Sequence, residues 1–360
     1  MKAAVCRTFG APLVIEDISL AAPGPHDIRV AVKACAICHS DITFAEGGWG
    51  GDLPAVYGHE AAGVVLEAGR AVTNVKVGDH VVVTLIRSCG TCHYCARGSQ
   101  VMCEEVFDLD RETPVHDASG APLAHGLRTG AFAEEVTVHA SQAVAIDTSI
   151  PFDAASLLAC GVITGYGAVA NTAALKAGES AVVIGCGGVG LNAIQGAALS
   201  GASIVTAVDL SDAKLETARS LGATHTINPG REDAATAART IFGPHGADYV
   251  FVTVGAKPAL DGAFSYIAKE GSVIVVGMPP SGIFAEYDPG TLAAWNQTVK
   301  GSKMGSARVA EDIPALAGLY LQGRLKLDEL ISGRYRLDQI NEAMASVKSG
   351  EALRNVIVFE

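Results

Sequence analysis

The pattern of apolar and polar positions changes near the middle of the chain. Up to about residue 151, short apolar runs rich in β-branched residues, such as 28–34 and 80–84, alternate with turns that contain Gly, Pro and Asp. Runs of this length, bounded by turn residues, predict β-strands. The first part of the chain is therefore predicted to be a mostly β domain.

From residue 180 onward, apolar runs at 181–184, 203–208, 249–252 and 272–276 alternate with helical patterns. Strands that are apolar throughout are buried on both faces, which is typical of a parallel sheet covered by helices. After Lys300, two more helical patterns and an apolar run at 355–358 fit either domain. No repeat or Pro-rich linker separates the domains, which predicts that they pack together around a cleft.

Composition narrows the function classes. A chain of 360 residues is longer than one hydrophobic core usually supports, so two folded domains are expected. The residues are 49% hydrophobic and 18% charged, and the net charge is −12. Nucleic acid and anionic membranes are therefore not expected as partners. The amino terminus is charged too early for a secretory signal peptide, and no long uncharged apolar run predicts a membrane span. We expect a cytoplasmic protein whose nine cysteines are metal ligands or buried thiols.

Four cysteines form a close cluster. Cys89, Cys92, Cys95 and Cys103 follow the spacing C-x2-C-x2-C-x7-C. Four thiolates around one ion leave no open position, which is typical of structural zinc. A redox pair, chance clustering and an iron–sulfur cluster are the alternatives, the last disfavoured because nothing else in the chain indicates electron transfer. The spacing predicts one structural zinc site.

A glycine-rich motif follows the first predicted strand of the second half. Gly185, Gly187 and Gly190 satisfy G-x-G-x-x-G, and a helical stretch of small residues comes next. Such glycines allow a tight turn and let backbone N–H groups approach a pyrophosphate at a helix N-terminus. Asp209, 19 residues after Gly190, stands where a carboxylate accepts from ribose hydroxyls and repels a 2′-phosphate, although a helix N-cap is the alternative. The motif predicts NAD rather than NADP.

Three further residues are candidate ligands of a second metal. Cys38 begins the sequence CHSD, His59 lies in GHE, and Cys160 opens CGVITGYG. Taken one by one, each is better explained as a buried thiol or a hydrogen-bonded imidazole than as a metal ligand. A catalytic zinc needs three protein ligands and one open position, and its ligands are free to come from distant parts of a chain.

Taken together, these motifs resemble the zinc-containing medium-chain alcohol dehydrogenases over essentially the whole chain. The resemblance implies that Cys38, His59 and Cys160 hold a catalytic zinc, with Glu60 beside the metal and Asp41 fixing the His59 ring. It therefore implies two zinc ions per chain.

The resemblance also assigns roles in the reaction. Zinc acidifies the alcohol, Ser40 is the first member of a proton relay, and hydride passes to NAD. Relatives that carry the proton outward use a histidine where this chain has Thr43, so the relay is expected to run through the nicotinamide ribose and water or through another group.

Cofactor and substrate contacts follow from the same resemblance. Apart from the three motif glycines and Asp209, the residues expected at NAD are His39, Thr164, Gly188, Val189, Lys214, Val276, Gly277, Met278 and Arg354. Those expected to line an apolar pocket for an aliphatic or aromatic primary alcohol are Trp49, Leu85, Phe132 and Met278, although Trp49 is equally explained as an aromatic that holds a surface loop.

Two alternative functions remain at this point. The stretch 108–128 resembles an extended loop of the thiol-dependent formaldehyde dehydrogenases, which act on adducts of glutathione or mycothiol, but Phe107 replaces the arginine of the glutathione enzymes. A zinc-less quinone reductase or a structural protein of the same scaffold is disfavoured because all three catalytic ligands are present.

The predicted fold class is α/β. A GroES-like, mostly β catalytic domain at 1–161 and 304–360 would surround a Rossmann domain with a doubly wound parallel sheet at 162–303, and the family implies a homodimer or homotetramer.

Overall fold

Two separate units account for residues 1–360 of the computed structural model. One unit comprises Met1–Gly161 together with Arg308–Glu360, and the other comprises Val162–Ala307. The sequence analysis placed the second boundary at residue 304, whereas the structure places it at residue 308. The reason is a close backbone contact: a Cβ built on Gly305 would lie 2.2 Å from the carbonyl oxygen of Ile163 and 2.8 Å from Cα of Gly167, so the turn at 304–306 belongs to the second unit.

Short strands dominate the first part of the first unit, as the apolar runs predict. The strands are β1 (Lys2–Cys6), β2 (Val14–Leu20), β3 (Asp27–Ala36), β4 (Ala55–Val56), β5 (Glu60–Ala68), β6 (His80–Thr84), β7 (Val115–Asp117), β8 (Ala124–His125), β9 (Glu135–His139) and β10 (Ala143–Ala145). Three short α-helices join them: α1 (His39–Ala45), α2 (Asp108–Arg111) and α3 (Phe152–Leu157).

The second unit alternates strands with helices. Its strands are β11 (Ser180–Ile184), β12 (Ile204–Val208), β13 (His225–Ile227), β14 (Ala247–Val252), β15 (Ile267–Val275) and β16 (Thr298–Gly301). Its helices are α4 (Ile163–Gly167), α5 (Gly188–Leu199), α6 (Asp212–Ser220), α7 (Ala234–Phe242), α8 (Lys257–Gly262) and α9 (Pro289–Ala294). The strand order is β13-β12-β11-β14-β15-β16 and every pairing is parallel, which confirms the predicted Rossmann fold.

The C-terminal segment completes the first unit, which the sequence pattern left open. It contains α10 (Val309–Leu321), β17 (Ile331–Tyr335), α11 (Ile340–Lys348) and β18 (Arg354–Val358). Strand β18 pairs antiparallel with β3 and parallel with β17. The last strand of the chain therefore lies beside the strand that leads into Cys38.

Two sheets form the first unit. One has the order β7-β2-β1-β4-β8, and the other has the order β10-β6-β5-β3-β18-β17 with β9 also paired to β3. The main core of this unit includes Ile28, Val30, Val81 and Val83 from β3 and β6, all without exposed surface. Strand β3 ends two residues before Cys38, and its last residue, Ala36, pairs with Glu60 at the start of β5, so these candidate ligands lie at the same end of the sheet.

Several shorter helices complete the chain. The 3₁₀ segments are Cys95–Arg97, Gln100–Met102, Gly126–Arg128, Ala140–Gln142, Ala263–Ser265, Met304–Ser306, Asp328–Leu330 and Leu337–Gln339, and π-helical turns occur at Leu158–Val162 and Ala168–Ala173.

One continuous helical stretch, Phe152–Ala173, is long and apolar enough to cross a membrane by length and composition, which the search for an uncharged run missed. Its most apolar part is 83% buried inside the protein, as is typical of a core helix.

Candidate active site

Two groups of side chains within residues 1–360 have the composition and proximity of metal sites. The first comprises Cys38, His59, Glu60 and Cys160, which offer one ligand atom each. These four atoms all lie within 4.8 Å of one another, and all four residues are buried. The fold therefore brings together three residues that are far apart in the chain and that the sequence analysis had selected as ligands.

Asp41 contacts two of these ligands, Cys38 and His59. One carboxylate oxygen, Oδ2, accepts from the backbone N–H of Cys38 at 3.0 Å. The other, Oδ1, accepts from the backbone N–H of Gly58 at 3.0 Å and lies 2.9 Å from Nδ1 of His59. Because a carboxylate is an acceptor only, Nδ1 of His59 must carry the proton, which leaves Nε2 as the free base that a metal requires.

Glu60 is bonded to Arg354 and to the backbone of Gly161. Its Oε2 forms a buried ion pair with Nη2 of Arg354 and accepts from the backbone N–H of Gly161 at 3.3 Å. Burial raises the pKa of Glu60 to about 7, and the nearby Arg354 guanidinium opposes this rise. The structure thus places Arg354, which we had expected at the NAD pyrophosphate, in contact with the candidate metal site, and its guanidinium is almost completely buried.

The two cysteines of this group come from irregular helical ends. Cys38 precedes the first residue of α1, and Cys160 lies in the π-helical turn Leu158–Val162. Turns of this kind are frequent at functional sites because they redirect a side chain out of the regular helix. A hydrogen bond from Cys160 holds the pKa of the Cys38 thiol well below its ordinary value. Sγ of Cys38 also lies 3.7 Å from Oγ of Ser40, which places Ser40 beside the ligands.

The donor set fits a zinc ion. Nε2 of His59 and Oε1 of Glu60 are buried and have no hydrogen-bond partner, although the opposite atom of each side chain is bonded. Leaving buried polar atoms unpaired is costly, so such atoms indicate a missing partner. Two sulfurs and one imidazole nitrogen are typical ligands of catalytic zinc, which keeps one position open.

The second group is the cysteine cluster Cys89, Cys92, Cys95 and Cys103, whose sulfur atoms also lie within 4.8 Å of one another. Sγ of Cys89 accepts from the backbone N–H of Cys92 at 3.2 Å, and Sγ of Cys103 accepts from the backbone N–H of Cys89 at 3.4 Å. Backbone N–H groups lower the pKa of Cys89 to about 6, which favours the thiolate form that binds zinc.

The glycine-rich motif joins β11 to α5. Gly185 has a φ of 95°, which favours glycine, and a Cβ on Gly190 would lie 1.7 Å from the carbonyl oxygen of Gly185. A Cβ on Gly187 would meet no protein atom within 4 Å, so this glycine faces open space just before the helix N-terminus. This arrangement provides the tight turn, the close strand–helix contact and the accessible backbone that a pyrophosphate needs.

Asp209 follows the last residue of β12. Its Oδ2 accepts from the backbone N–H of Cys186 at 2.7 Å, and its Oδ1 accepts from the backbone N–H of Ser211 at 2.9 Å. Asp209 is not the helix N-cap, because Ser211 takes that position on α6. Its carboxylate is instead fixed beside the glycine-rich turn.

Comparisons with known proteins agree with this architecture. Residues 24–148 match the family model described as the alcohol dehydrogenase GroES-like domain, and residues 188–321 match the one described as zinc-binding dehydrogenase. The chain is 37% identical to the NDMA-dependent alcohol dehydrogenase of Amycolatopsis methanolica over 99% of this chain and 98% of that protein. The chain belongs to the zinc-containing medium-chain alcohol dehydrogenases.

Two other relatives are informative about this dehydrogenase. The crystal structure of benzyl alcohol dehydrogenase from Acinetobacter calcoaceticus superimposes with a TM-score of 0.93 at 31% identity, covering 100% of this chain and 99% of that one. The S-(hydroxymethyl)glutathione dehydrogenase of Paracoccus denitrificans is 32% identical over 99% of both chains. The family is therefore shown, while its named members differ in substrate.

The remaining predicted residues of the dehydrogenase occupy varied environments. Trp49 and Leu85 are partly buried, Met278 is 67% exposed, and Phe132 has no exposed surface because it packs in the core of the first unit. Trp49 packs edge-on against Phe44, with the ring centroids 5.2 Å apart.

Of the residues expected at NAD, Thr164 is buried and Val189, Lys214, Val276 and Gly277 are partly buried. His39 is exposed at the start of α1, where its carbonyl oxygen accepts from the Thr43 hydroxyl at 2.9 Å.

Two features of the dehydrogenase site were not predicted from the sequence. The pairing of Glu60 with Arg354 joins residues 294 positions apart, and no local pattern indicates it. Gly58 has a φ of 94°, and a Cβ there would lie 2.5 Å from the backbone nitrogen of Phe132. A glycine directly before a candidate histidine ligand was visible in the sequence and could have suggested such a constraint.

Proposed function

We propose that this dehydrogenase uses NAD and two zinc ions per chain to interconvert a primary alcohol and its aldehyde. The observation that carries the proposal is the convergence of Cys38, His59 and Cys160 on one buried point, with Nε2 of His59 unpaired. Three protein ligands leave one coordination position open. A zinc ion bound there supplies Lewis acidity, which lowers the pKa of an alcohol hydroxyl.

In this proposal Ser40 is the first member of a proton relay: its hydroxyl accepts the proton of the alcohol as it passes its own proton to the next member. Its position 3.7 Å from Sγ of Cys38 supports this role, because a general base must lie within reach of the reacting oxygen. The Thr43 hydroxyl donates to the carbonyl oxygen of His39, so its own proton is already engaged. We therefore route the relay beyond Ser40 through the nicotinamide ribose and water.

NAD is the proposed hydride acceptor. The open space beside Gly187 in the glycine-rich turn supports pyrophosphate binding, and the fixed Asp209 carboxylate supports discrimination against the 2′-phosphate of NADP. The further proposed contacts are His39, Thr164, Gly188, Val189, Lys214, Val276, Gly277, Met278 and Arg354.

For the substrate we propose an aliphatic or aromatic primary alcohol bound by Trp49, Leu85 and Met278. Phe132, which we had expected at this pocket, has no exposed surface and is therefore not among the proposed contacts. Aromatic packing of Trp49 on Phe44, together with the stacking of Phe44 on Tyr57, supports a firm apolar wall next to α1. The similarity to a benzyl alcohol dehydrogenase points in the same direction.

A thiol adduct of formaldehyde is the second candidate substrate. The observation that favours it is the 32% identity to an S-(hydroxymethyl)glutathione dehydrogenase over nearly the full length. Against it, Phe107 carries no charge and is buried. The neighbouring Arg87 guanidinium is also buried and lies over the Phe107 ring, so it is not available to bind the carboxylate of a thiol adduct.

The deciding experiment is a rate measurement of nicotinamide absorbance with NAD or NADP, across aliphatic and aromatic primary alcohols and across formaldehyde mixed with glutathione or mycothiol. Activity with free alcohols and NAD supports the proposal, and activity only with a thiol adduct supports the second candidate. A parallel assay with NDMA as the acceptor is needed, because turnover with NDMA and none with added NAD would instead place the enzyme beside its NDMA-dependent relative. Absence of activity in every assay would contradict both candidates.

We also propose a homodimer or homotetramer in the cytoplasm. Strand β16 is an edge strand whose four residues are all exposed, and Phe284, Tyr287, Trp295 and Val299 expose apolar surface in the same unit. An exposed edge strand presents unpaired N–H and C=O groups that are able to pair with another chain. A solution mass of two or four times the 36.8 kDa of one chain would support this, and the mass of a single chain would contradict it. None of the nine cysteines forms a disulfide, which supports a reducing compartment.

A further inference from the structure

A buried arginine, Arg87, follows strand β6. Arg87 is only 2% exposed, and its guanidinium bonds three separate segments. Its Nε donates to Oε1 of Gln142 at 2.7 Å, its Nη1 to Oδ1 of Asp110 at 2.9 Å, and its Nη2 to the carbonyl oxygen of Arg128 at 3.1 Å. The Phe107 ring packs against the guanidinium at 5.4 Å. Burying a charge in this way is costly unless it is fully bonded, so the contacts are specific.

Gln142 shares one of these acceptors. Its Nε2 donates to the carbonyl oxygen of Arg128 at 3.0 Å and to that of Thr84 at 2.9 Å, and the side chain has no exposed surface. The carbonyl oxygen of Arg128 therefore receives two side-chain donors from two different parts of the fold.

The Arg87 and Gln142 side chains thus bond to a turn whose backbone conformation is unfavourable. Leu127 and Arg128 have φ values of 51° and 60°, so two consecutive residues with Cβ atoms lie in the left-handed region. Nε2 of His125 bonds the carbonyl oxygen of Thr129 at 2.7 Å, which fixes the far side of the turn. Backbone strain of this kind persists only where the surroundings enforce it, and it concentrates at functional sites.

The residues that follow the turn hydrogen-bond to the segment directly before His59. The N–H of Ala131 donates to the carbonyl oxygen of Gly58 at 2.9 Å, and the N–H of Phe132 donates to that of Tyr57 at 2.8 Å. Gly58 in turn donates its N–H to Asp41, which contacts His59. A displacement of the turn is therefore transmitted to the residue before the histidine and to the carboxylate that orients it.

A second connection reaches Glu60. Thr84, whose carbonyl oxygen accepts from Gln142, is the register partner of Glu60 in the antiparallel pairing of β5 with β6. Arg87 and Gln142 are thus connected to Gly58, directly before His59, and to Glu60, directly after it.

We propose that Arg87 is a positioning residue of the zinc centre, which acts with Gln142 through the turn at 127–130 to hold Gly58, Asp41 and His59 in place for the metal. This inference rests on the proposed function for its identification of the metal as catalytic zinc. It predicts that loss of the guanidinium weakens zinc binding at Cys38, His59 and Cys160 without affecting the cysteine cluster at 89–103.

The test compares zinc release from the full-length protein in the wild type and in Arg87→Met and Arg87→Lys. A chelating indicator follows zinc release over time. The kinetic phase that is present in the wild type and absent in Cys160→Ser is assigned to the site at Cys160. We expect release from this site to be about tenfold or more faster in Arg87→Met, since loss of outer support typically changes metal affinity 10–100-fold. Arg87→Lys should not restore wild-type release, because an ammonium group does not reproduce the planar fork of three donors.

Activity provides an independent readout. In Arg87→Met we expect kcat to fall while KM for NAD stays the same, since the glycine-rich turn and Asp209 are unaltered. Arg336→Met is the matched control, because Arg336 is exposed and pairs only with Asp338. If Arg87→Met does not fold, Gln142→Met tests the same prediction, since it removes one donor to Arg128 and the bond to Thr84.

The outcomes separate this inference from the proposed function. A lower unfolding temperature with unchanged zinc release and unchanged kcat would overturn it, since Arg87 would then only stabilise the fold. Wild-type release in Arg87→Lys would also overturn it, because charge alone would suffice. A wild-type protein with zinc at both sites but no alcohol turnover would contradict the proposed function, and the zinc-release comparison would still decide the role of Arg87.

Discussion

Replacing Asp41 by asparagine tests the geometry of the candidate site most directly. The carboxylate has no exposed surface and serves the backbone N–H groups of Cys38 and Gly58 and Nδ1 of His59. An asparagine side chain keeps only one acceptor atom. If it retains the bonds to Gly58 and His59, its amide NH₂ faces the N–H of Cys38, so one buried donor loses its acceptor.

The magnitude follows from these contacts. A buried N–H group without an acceptor costs about 1–3 kcal/mol. Loss of the carboxylate behind a metal-binding histidine typically lowers metal affinity 10–100-fold, which corresponds to about 1.4–2.8 kcal/mol. We therefore expect Asp41→Asn to reduce the stability of the zinc-bound first unit by about 2–6 kcal/mol, a large fraction of the usual stability of a domain.

The chain offers a specific reporter for this measurement. Its two tryptophans are Trp49 in the first unit and Trp295 in the second, so a Trp295→Phe background leaves Trp49 to report on the first unit alone. This separation matters because a protein of two units need not unfold in a single step. Urea unfolding followed by fluorescence, with and without added zinc, then measures both contributions.

Asp52→Asn is the matched control, since Asp52 is exposed. The control should unfold like the parent protein. Unfolding and zinc retention of Asp41→Asn within error of the parent would refute the argument that Asp41 holds Cys38, Gly58 and His59 together.

Three further predictions concern other parts of the chain. Cys95→Ser should lose one zinc per chain and destabilise the loop at 89–103, and unchanged zinc content by mass spectrometry would contradict the structural site. Asp209→Gly should raise KM for NAD and relax discrimination against NADP, so unaltered kinetics with both cofactors would argue against its ribose contact. Burial and the nearby Arg87 lower the pKa of His125 to about 4, while Asp110 opposes this shift. Nδ1 of His125 has no hydrogen-bond partner. As the pH falls, His125 is therefore protonated in the unfolded chain before it is protonated in the folded protein. Stability should therefore fall as pH drops from about 6.5 to about 4, and His125→Asn should flatten that slope in urea unfolding at each pH.

Local patterns predicted the elements and much of the chemistry. The strand at His80–Thr84 and the parallel strands of the second unit follow from runs of apolar residues, because burial on one or both faces imposes a period that is visible in the sequence. The cysteine cluster and the glycine-rich turn were also recognisable, since each function requires particular residue types within a few positions. The domain boundary near residue 304 was less well defined, because it depends on the contact of Gly305 with Gly167.

Tertiary structure alone decided how distant residues meet. Cys38, His59 and Cys160 were nominated by a family resemblance, and only the packing of α1, β5 and the π-helical turn brings their ligand atoms within 4.8 Å. The Glu60–Arg354 pair was invisible because its partners are 294 residues apart.

Arg87 shows the same limit most clearly. By sequence it is an arginine that follows an apolar strand, and a solvated side chain would be the ordinary expectation. The fold buries it among Asp110, Gln142 and the carbonyl oxygen of Arg128. The sequence by itself determined which groups have the chemistry for zinc and a dinucleotide, because that depends on residue type and local spacing. Only the tertiary structure decided which of these groups are buried, paired and aimed at one another, because burial and pairing depend on chain segments that no local pattern connects.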